Sequence, residues 1–256
     1  MSRFFIPPEN ITDDRAFLEG SDAHHLLRVL RVKKGEAIDI GSMGRLYTGT
    51  IAAVTDDKIE LLLAEVEREM EPPLDVYLLL GLTKGEKMDL VVEKATELGV
   101  FGIIPVSCQR SVVKLDEKQA RKKTERWQRV AEAAAKQCRR ARIPQIFPVC
   151  ALKEALEILP DECRLLVPWE EDTEHSFAAA LRQANPSSAA LLIGPEGGLT
   201  ECEVNLLTEK GGVSITLGPR ILRSETAAIA ALSILMYQWG DMGSQNNAKS
   251  GNDNGE

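Results

Sequence analysis

The sequence lacks any long apolar segment. No stretch approaches the roughly 18 continuous apolar residues that a membrane-spanning helix needs, and the first eight residues hold no apolar run long enough for a signal peptide. With 256 residues, 44% of them hydrophobic and 27% charged, the chain has the composition of a globular protein of one or two domains. We therefore expect a cytoplasmic protein that does not contact membranes.

Cysteine and histidine are scarce as well. The five cysteines are widely spaced and form no C-x-x-C pair, and two of the three histidines are adjacent. Neither a disulfide framework nor a zinc site with Cys and His ligands is supported by this pattern. We predict reduced cysteines and no bound metal.

Three common catalytic and nucleotide-binding motifs are also missing. The sequence contains no G-x-G-x-x-G, no G-x-x-x-x-G-K-[ST] and no G-x-S-x-G. Dinucleotide binding of the usual kind, P-loop phosphate binding and α/β-hydrolase chemistry therefore have no motif to support them.

The first 70 residues predict a small, mostly β domain. Short β-type runs alternate with glycine-containing turns, and one helical stretch at residues 21–32 interrupts them. The predicted strands are residues 3–6, 37–40, 46–54 and 58–64. Pro72 and Pro73 follow an acidic run and continue neither a helix nor a strand. We therefore predict a domain of residues 1–71 and a second domain of residues 72–241.

From residue 74 onward, strand-like and helical patterns alternate. The apolar runs lack polar alternation, which is typical of parallel strands buried on both faces, so the second domain is predicted to be α/β. Its predicted strands are residues 76–82, 102–106, 165–167, 189–193 and 213–217. Its predicted helices are residues 88–98, 117–140, 152–159, 174–184, 201–210 and 225–239. Residues 242–256 are rich in Gly, Asn and Ser and are expected to be disordered.

Positive charge is concentrated in one segment of an otherwise acidic chain. The formal net charge is −8, yet residues 110–142, here called the cationic segment, hold twelve Lys and Arg against four Asp and Glu. A local cationic face binds a polyanion in spite of an acidic remainder, because salt screens charges beyond about 8 Å. The alternative is a solvated helix face. Trp127 lies within this segment and is expected either to anchor a core or to stack on a base.

The most informative residues follow three predicted strands, because ligands of parallel sheets bind at the carboxyl ends of the strands. Pro168 follows one strand, a Gly-Pro-Glu-Gly-Gly loop at residues 194–198 follows the next, and residues 218–226 follow the last. Arg220 and Arg223 directly precede a predicted helix, where two cations are unfavourable unless an anion is nearby. Ser224 and Glu225 alone are explained by helix capping.

These loops resemble a known family. Residues 194–200 and 217–227 are similar to the signature of the SPOUT methyltransferase superfamily, and more narrowly to the ribosomal RNA small subunit methyltransferase E family. Residues 24–31, 94–100, 109–113 and 126–127 are similar to further blocks of that family. The resemblance covers residues 1–240 and has these blocks in the family's order.

The resemblance implies an N-terminal PUA-like β-barrel and an α/β domain with a trefoil knot, which composition and periodicity do not predict. It also implies a homodimer that transfers the methyl group of S-adenosylmethionine to N3 of a uridine in 16S ribosomal RNA, free or assembled in the small subunit. The implied cofactor-binding residues are Pro168, Ile193, Gly194, Pro195, Glu196, Gly197, Gly198, Leu217, Gly218, Ile221 and Leu222.

Uridine N3 must lose its proton, which predicts a cation or a general base beside it. We expect Arg223 to bind the target nucleotide and Glu225 to be the second catalytic candidate. The residues expected to bind RNA are His25, Arg28, Arg31, Arg110, Arg126, Arg139, Arg140 and Arg220. Two alternatives remain open from the sequence: a SPOUT enzyme that methylates a ribose 2′-hydroxyl in rRNA or tRNA, and a non-catalytic RNA-binding assembly factor.

Overall fold

The computed structural model of the chain describes residues 3–55, 57–67, 70–182 and 186–243. The chain divides into two compact units. The first comprises Met1–Glu71 and Glu125–Gln145, and the second comprises Pro72–Thr124 and Ile146–Glu256. Residues 125–145 thus associate with the N-terminal unit, whereas the predicted division after residue 71 assigns them to the second domain. Most of the predicted tail, residues 244–256, lies outside the described residues.

The first unit is built on one six-stranded sheet. Its strands are β1 (Phe4–Phe5), β2 (Ile11–Thr12), β3 (Arg15–Glu19), β4 (Ala37–Ser42), β5 (Arg45–Val54) and β6 (Lys58–Val66). They are ordered β1-β4-β5-β6-β3-β2, and every neighbouring pair is antiparallel except β1 with β4. A cluster of buried apolar side chains, among them Leu18, Ile40 and Leu61, forms the core of this sheet. A 3-10 turn at Pro8–Asn10 joins β1 to β2.

The helix predicted at residues 21–32 is shorter and changes type. Helix α1 (Gly20–His24) continues as a π-helix over His25–Leu30. The carbonyl of Leu26 accepts hydrogen bonds from the N–H groups of both Arg31 and Val32. Arg31 adopts a left-handed conformation with φ of 53°, and a helix commonly ends at such a residue.

The second unit contains the predicted α/β sheet. Its strands are β7 (Asp75–Gly81), β8 (Gly102–Ser107), β9 (Gln145–Ile146), β10 (Cys150–Ala151), β11 (Arg164–Pro168), β12 (Ser188–Ile193) and β13 (Val213–Ile215). The order is β10-β8-β7-β12-β11-β13, each of these pairs is parallel, and β9 pairs with β8. All six residues of β12 are buried. The apolar runs without alternation therefore correctly indicated parallel strands covered on both faces.

Helices occupy the connections between these strands, and one more follows the last strand. They are α2 (Lys87–Glu97), α3 (Glu117–Cys138), α4 (Leu152–Glu157), α5 (Phe177–Arg182), α6 (Glu201–Glu209) and α7 (Ser224–Gln238). Helix α5 begins later than the predicted residue 174 because Ser176 forms a parallel β-bridge with Thr216, which keeps that part of the chain extended. Helix α3 ends before the predicted residue 140 because Arg139 has a φ of 60°.

No helix among the described residues has both the length and the apolarity needed to cross a membrane. The trefoil knot stays a prediction, because the strand order alone does not trace one.

Candidate cofactor and RNA site

Four neighbouring strands of the second unit end at one edge of the sheet, and their loops surround a single cleft. The strands are β7, β12, β11 and β13, in that spatial order. The cleft has a volume of about 780 Å³ and is lined by residues of the loops after β11, β12 and β13, together with Lys87 at the start of α2. The carboxyl edge of a parallel sheet is where this fold class binds ligands, so the cleft is the candidate site.

The structure brings together most of the residues predicted to bind a cofactor. Those that line the cleft are Pro168, Ile193, Gly194, Pro195, Glu196, Gly198, Leu217, Gly218, Ile221 and Leu222. Gly197 instead faces Arg110, whose Cβ lies 2.9 Å from the position that a Cβ on Gly197 would take. Arg220 and Arg223 also line the cleft.

Two glycines, Gly81 and Gly198, lie where the loop after β12 leaves little room for a side chain. A Cβ on Gly81, at the end of β7, would lie 2.5 Å from the backbone nitrogen of Pro195. Gly198 has a φ of 71°, and a Cβ there would collide with the carboxylate of Glu170. These glycines let the main chain of the loop approach β7 and the cleft directly.

Hydrogen bonds to charged side chains position the end of this loop. Glu203 forms a capping box with Thr200, whose N–H donates to Glu203 Oε2 at 2.9 Å. The other oxygen of Glu203 accepts from the N–H of Gln109 at 2.8 Å. The guanidinium of Arg110 donates to the carbonyls of Gly197 and Leu199, at 3.4 and 3.2 Å. Arg110, predicted to bind RNA, thus contacts the loop itself.

The loop after β13 presents its charged and apolar side chains outward. Arg220 and Arg223 are exposed, and Ile221 between them is 87% exposed. Leu222 is half-buried, and Arg223 occupies the N-cap position of α7 without a side-chain capping bond. The two arginines therefore lie at the cleft beside the positive end of a helix, an arrangement suited to an anionic ligand.

Lys87 joins two carboxylates at the edge of the cleft. Its Nζ lies 3.2 Å from Glu196 Oε1 and 3.4 Å from Glu225 Oε2. The hydrogen bond with Glu196 raises the pKa of Lys87. Burial alone would raise the pKa of Glu196, but hydrogen bonds from the backbone N–H of Lys84 and from Lys87 outweigh burial and lower it.

Asp172 organises the loop after β11. Its carboxylate accepts hydrogen bonds from the backbone N–H groups of Glu174 and His175, at 3.0 and 2.9 Å, and its second oxygen lies 3.0 Å from His175 Nδ1. Burial alone would raise the pKa of Asp172, but the nearby Ser214 hydroxyl, together with the contacts of His175 and Glu174, lowers it to about 2. The His175 carbonyl accepts from Thr216, which connects this loop to the end of β13.

Six of the residues predicted to bind RNA lie in the first unit. The exposed ones in the first unit are His25, Arg28, Arg31, Arg126 and Arg139. Arg140 is only 5% exposed, and its guanidinium lies 2.5 and 3.1 Å from a carboxylate oxygen of Glu71. The structure contradicts an RNA-binding role for Arg140, because a buried guanidinium in a bidentate ion pair does not reach a phosphate. Trp127 is 2% exposed, which confirms the core alternative.

Lys87 and Asp172 are site residues that the sequence analysis missed. Lys87 follows the carboxyl end of β7, so the rule that located the other loops pointed to it once β7 was known to adjoin β12. Nothing in the sequence singled out Asp172.

Comparison with known proteins agrees with the fold and the loops. Residues 70–236 match the family model of an RNA methyltransferase domain, and residues 18–64 match that of an RNA methyltransferase PUA domain. The ribosomal RNA small subunit methyltransferase E of Bacillus subtilis is 40% identical over 248 residues, which span 93% of this chain and 97% of that protein. The chain belongs to the ribosomal RNA small subunit methyltransferase E family.

Two further relatives agree with this assignment. The Aquifex aeolicus protein of the same name is 33% identical over 85% of this chain and 92% of its own. A crystal structure of the Neisseria gonorrhoeae protein of that name, bound to S-adenosyl methionine, has a TM-score of 0.79 and 31% identity, and it covers 94% of this chain and 98% of that one. The predicted family and the predicted combination of a PUA-like and an α/β domain are thereby confirmed.

Proposed function

We propose that this protein methylates N3 of a uridine in 16S ribosomal RNA with S-adenosylmethionine as the methyl donor. The observation that carries the proposal is the convergence of three predicted loops on one cleft at the carboxyl edge of the parallel sheet. The relative from Neisseria gonorrhoeae, similar over nearly its whole length, was crystallised with S-adenosyl methionine. Membership of a family named for methylation of small-subunit ribosomal RNA supports the choice of substrate.

The cleft fits this donor in size and in chemistry. Its volume of about 780 Å³ falls in the usual range of small-molecule sites, roughly 300–1,000 Å³. Pro168 and Trp169 offer apolar surface to an adenine ring, and Glu170 offers a carboxylate to a cationic or hydroxyl group. S-adenosylmethionine supplies a methyl group on a positively charged sulfonium. The main chain of residues 194–198 and 217–222 would hold it.

Arg223 and Glu225 would bind and deprotonate the uridine. The exposed guanidinium of Arg223 binds the target nucleotide, and its charge favours the base that has lost its N3 proton. Glu225, two residues further along α7, is the second candidate and would accept that proton. Because N3 lies on the edge of uridine that pairs with adenine, the target base must be unpaired when it reaches these residues.

Other parts of the chain would bind the RNA backbone. In the first unit, which includes the PUA match, His25, Arg28 and Arg31 are exposed along the π-helix and its end. Arg126 and Arg139 add exposed cations from the helical part of that unit. Contacts of this kind contribute affinity and salt dependence rather than sequence selection.

A homodimer is part of the proposal. Helix α7 carries apolar residues around its circumference: Ala231, Leu232 and Leu235 are buried, while Ile234 and Tyr237 are exposed. A helix that is apolar on all faces is normally covered on all faces, and a second copy of the chain is the cover we propose. Light scattering would show a dimer, and Ile234→Asp with Tyr237→Arg would yield monomers; a wild-type monomer would contradict this part.

Nucleoside analysis tests the function. Small subunits or 16S RNA from a strain without the enzyme would be incubated with the purified protein and S-adenosylmethionine, digested, and analysed by mass spectrometry. We expect 3-methyluridine to form only when both protein and donor are present. A 2′-O-methylated nucleoside instead would contradict the assignment to N3. Absence of methylation together with absence of donor binding would contradict catalysis altogether.

A further inference from the structure

We infer that Lys87 is a positioning residue of the methyl-donor cleft, which joins the loop after β12 to the first turn of α7. Its ammonium contacts Glu196 in that loop and Glu225 in that turn. The inference rests on the proposed function, because it assigns Lys87 to the site where the donor would bind.

The contacts of Lys87 connect separate elements that form the cleft. Lys87 is the first residue of α2, and α2 packs against α7. Glu196 also accepts a hydrogen bond from the backbone N–H of Lys84 at 3.1 Å, so the segment before α2 is attached to the same carboxylate. The loop after β12 is thus fixed by α2 and its preceding turn.

Glu225 depends on this lysine for compensation of its charge. Its Oε2 is buried and accepts no hydrogen bond within the described part of the chain, and Lys87 Nζ lies 3.4 Å away. A buried carboxylate without a compensating cation is unfavourable. Without Lys87, Glu196 and Glu225 would lose their shared cation, and we expect the two loop segments to separate.

A lysine suits this bridge because its ammonium is a compact charge with three donors on a flexible stem. The positioning role also predicts whether loss of Lys87 strengthens or weakens donor binding. The donor carries a net positive charge, so the simple loss of a nearby cation would strengthen its binding. Loss of a positioning contact would weaken it, because the main-chain groups of the loop would no longer be preorganised.

The test compares two lysines of α2. Lys94 is the matched control: it also contacts two carboxylates, Glu93 and Glu97, at 2.7 and 2.8 Å, but it does not line the cleft. Calorimetric titration with S-adenosylmethionine and methylation kinetics would be measured for Lys87→Met, Lys87→Gln, Lys87→Arg and Lys94→Met, with thermal unfolding as the check on folding.

We expect Lys87→Met and Lys87→Gln to weaken donor binding roughly tenfold. The KM for the donor should rise in parallel, kcat at saturating donor should also fall because Lys87 contacts Glu225, the proposed proton acceptor, and Lys87→Arg should recover most of the affinity. Lys94→Met should bind like the wild type. If the wild type binds and the Lys87 variants bind as tightly or more tightly, this inference is wrong and the proposed function stands. If the wild type itself does not bind the donor, both are wrong.

Discussion

The cations of this protein occupy two contrasting environments. At the cleft, Arg220 and Arg223 are exposed beside the positive end of α7. In the first unit, Lys136 lies 2.8 Å from Asp22, and Arg140 is buried against Glu71. In the sequence, the first pair precedes a predicted helix and the second pair lies within one, and neither pair has an evident acidic partner. The first set is available to an anionic ligand, whereas the second already has its anions within the chain.

The difference comes from acids that are distant in sequence. Asp22 and Glu71 lie 114 and 69 residues from the cations that they pair with. A charge count within a segment does not detect such partners, so the excess of twelve basic residues over four acidic ones overstated the surface left for RNA. Charge supports a ligand site only where the fold leaves it without an internal partner.

The largest effect on methylation is expected from the exposed arginines at the cleft, Arg220 and Arg223. Arg223→Ala should lower methylation about 10²–10³-fold, because it removes the cation that we propose favours the deprotonated base. Donor binding and thermal unfolding should stay close to wild type, and Arg223→Lys should keep part of the turnover. Single-turnover kinetics with saturating donor measures this. Turnover close to wild type in Arg223→Ala would place Arg223 outside the catalytic machinery.

Substitution of the cations that are paired within the chain, Lys136 and Arg140, should change stability rather than catalysis. Arg140→Met should reduce the free energy of unfolding by about 3–5 kcal/mol, because it leaves the carboxylate of Glu71 partly buried without its cation. Denaturant unfolding measures the change. A fully folded variant with unchanged stability but weaker RNA binding would reverse our assignment of Arg140.

Asp172 is an acid whose charge, like that of the paired cations, is held by groups within the chain. Since its pKa in the folded protein is about 2, below the value of about 3.9 for an unfolded chain, its charge stabilises the fold at pH values above about 4. That contribution is lost as the pH falls toward 2.

The variant Asp172→Asn should therefore be less stable than wild type by on the order of 2 kcal/mol near neutral pH. The difference should shrink as the pH falls from 4 to 2. Chemical unfolding of both proteins across this range measures it. A difference that does not vary with pH would show that the charge of Asp172 is not what stabilises the loop.

The smallest effect is expected in RNA binding, where an exposed arginine of the first unit is compared with a paired lysine. Arg139→Gln should reduce the salt dependence of RNA affinity by about 0.7–0.9 in log–log slope, the value for one phosphate contact. Lys136→Gln, three residues earlier, should leave the slope unchanged because its ammonium is already paired with Asp22. Binding titrations at several salt concentrations measure both, and equal slopes for the two variants would remove the contrast.

The sequence predicted those features that depend on local pattern. The apolar runs indicated the parallel strands, and the glycine and arginine loops indicated the three segments around the cleft. The change to a π-helix after His24 escaped prediction because it depends on how the helix closes at Leu26. The ion pairs of Lys87, Arg140 and Lys136 also escaped, because each partner lies far away along the chain.

The position of the bound donor tests the account most directly. A crystal structure of the protein with S-adenosylmethionine should show the donor between the loops after β11, β12 and β13. Its methyl group should face the side of the cleft that carries Arg223. A donor bound elsewhere, or a cleft that stays empty at saturating donor, would contradict the proposed function.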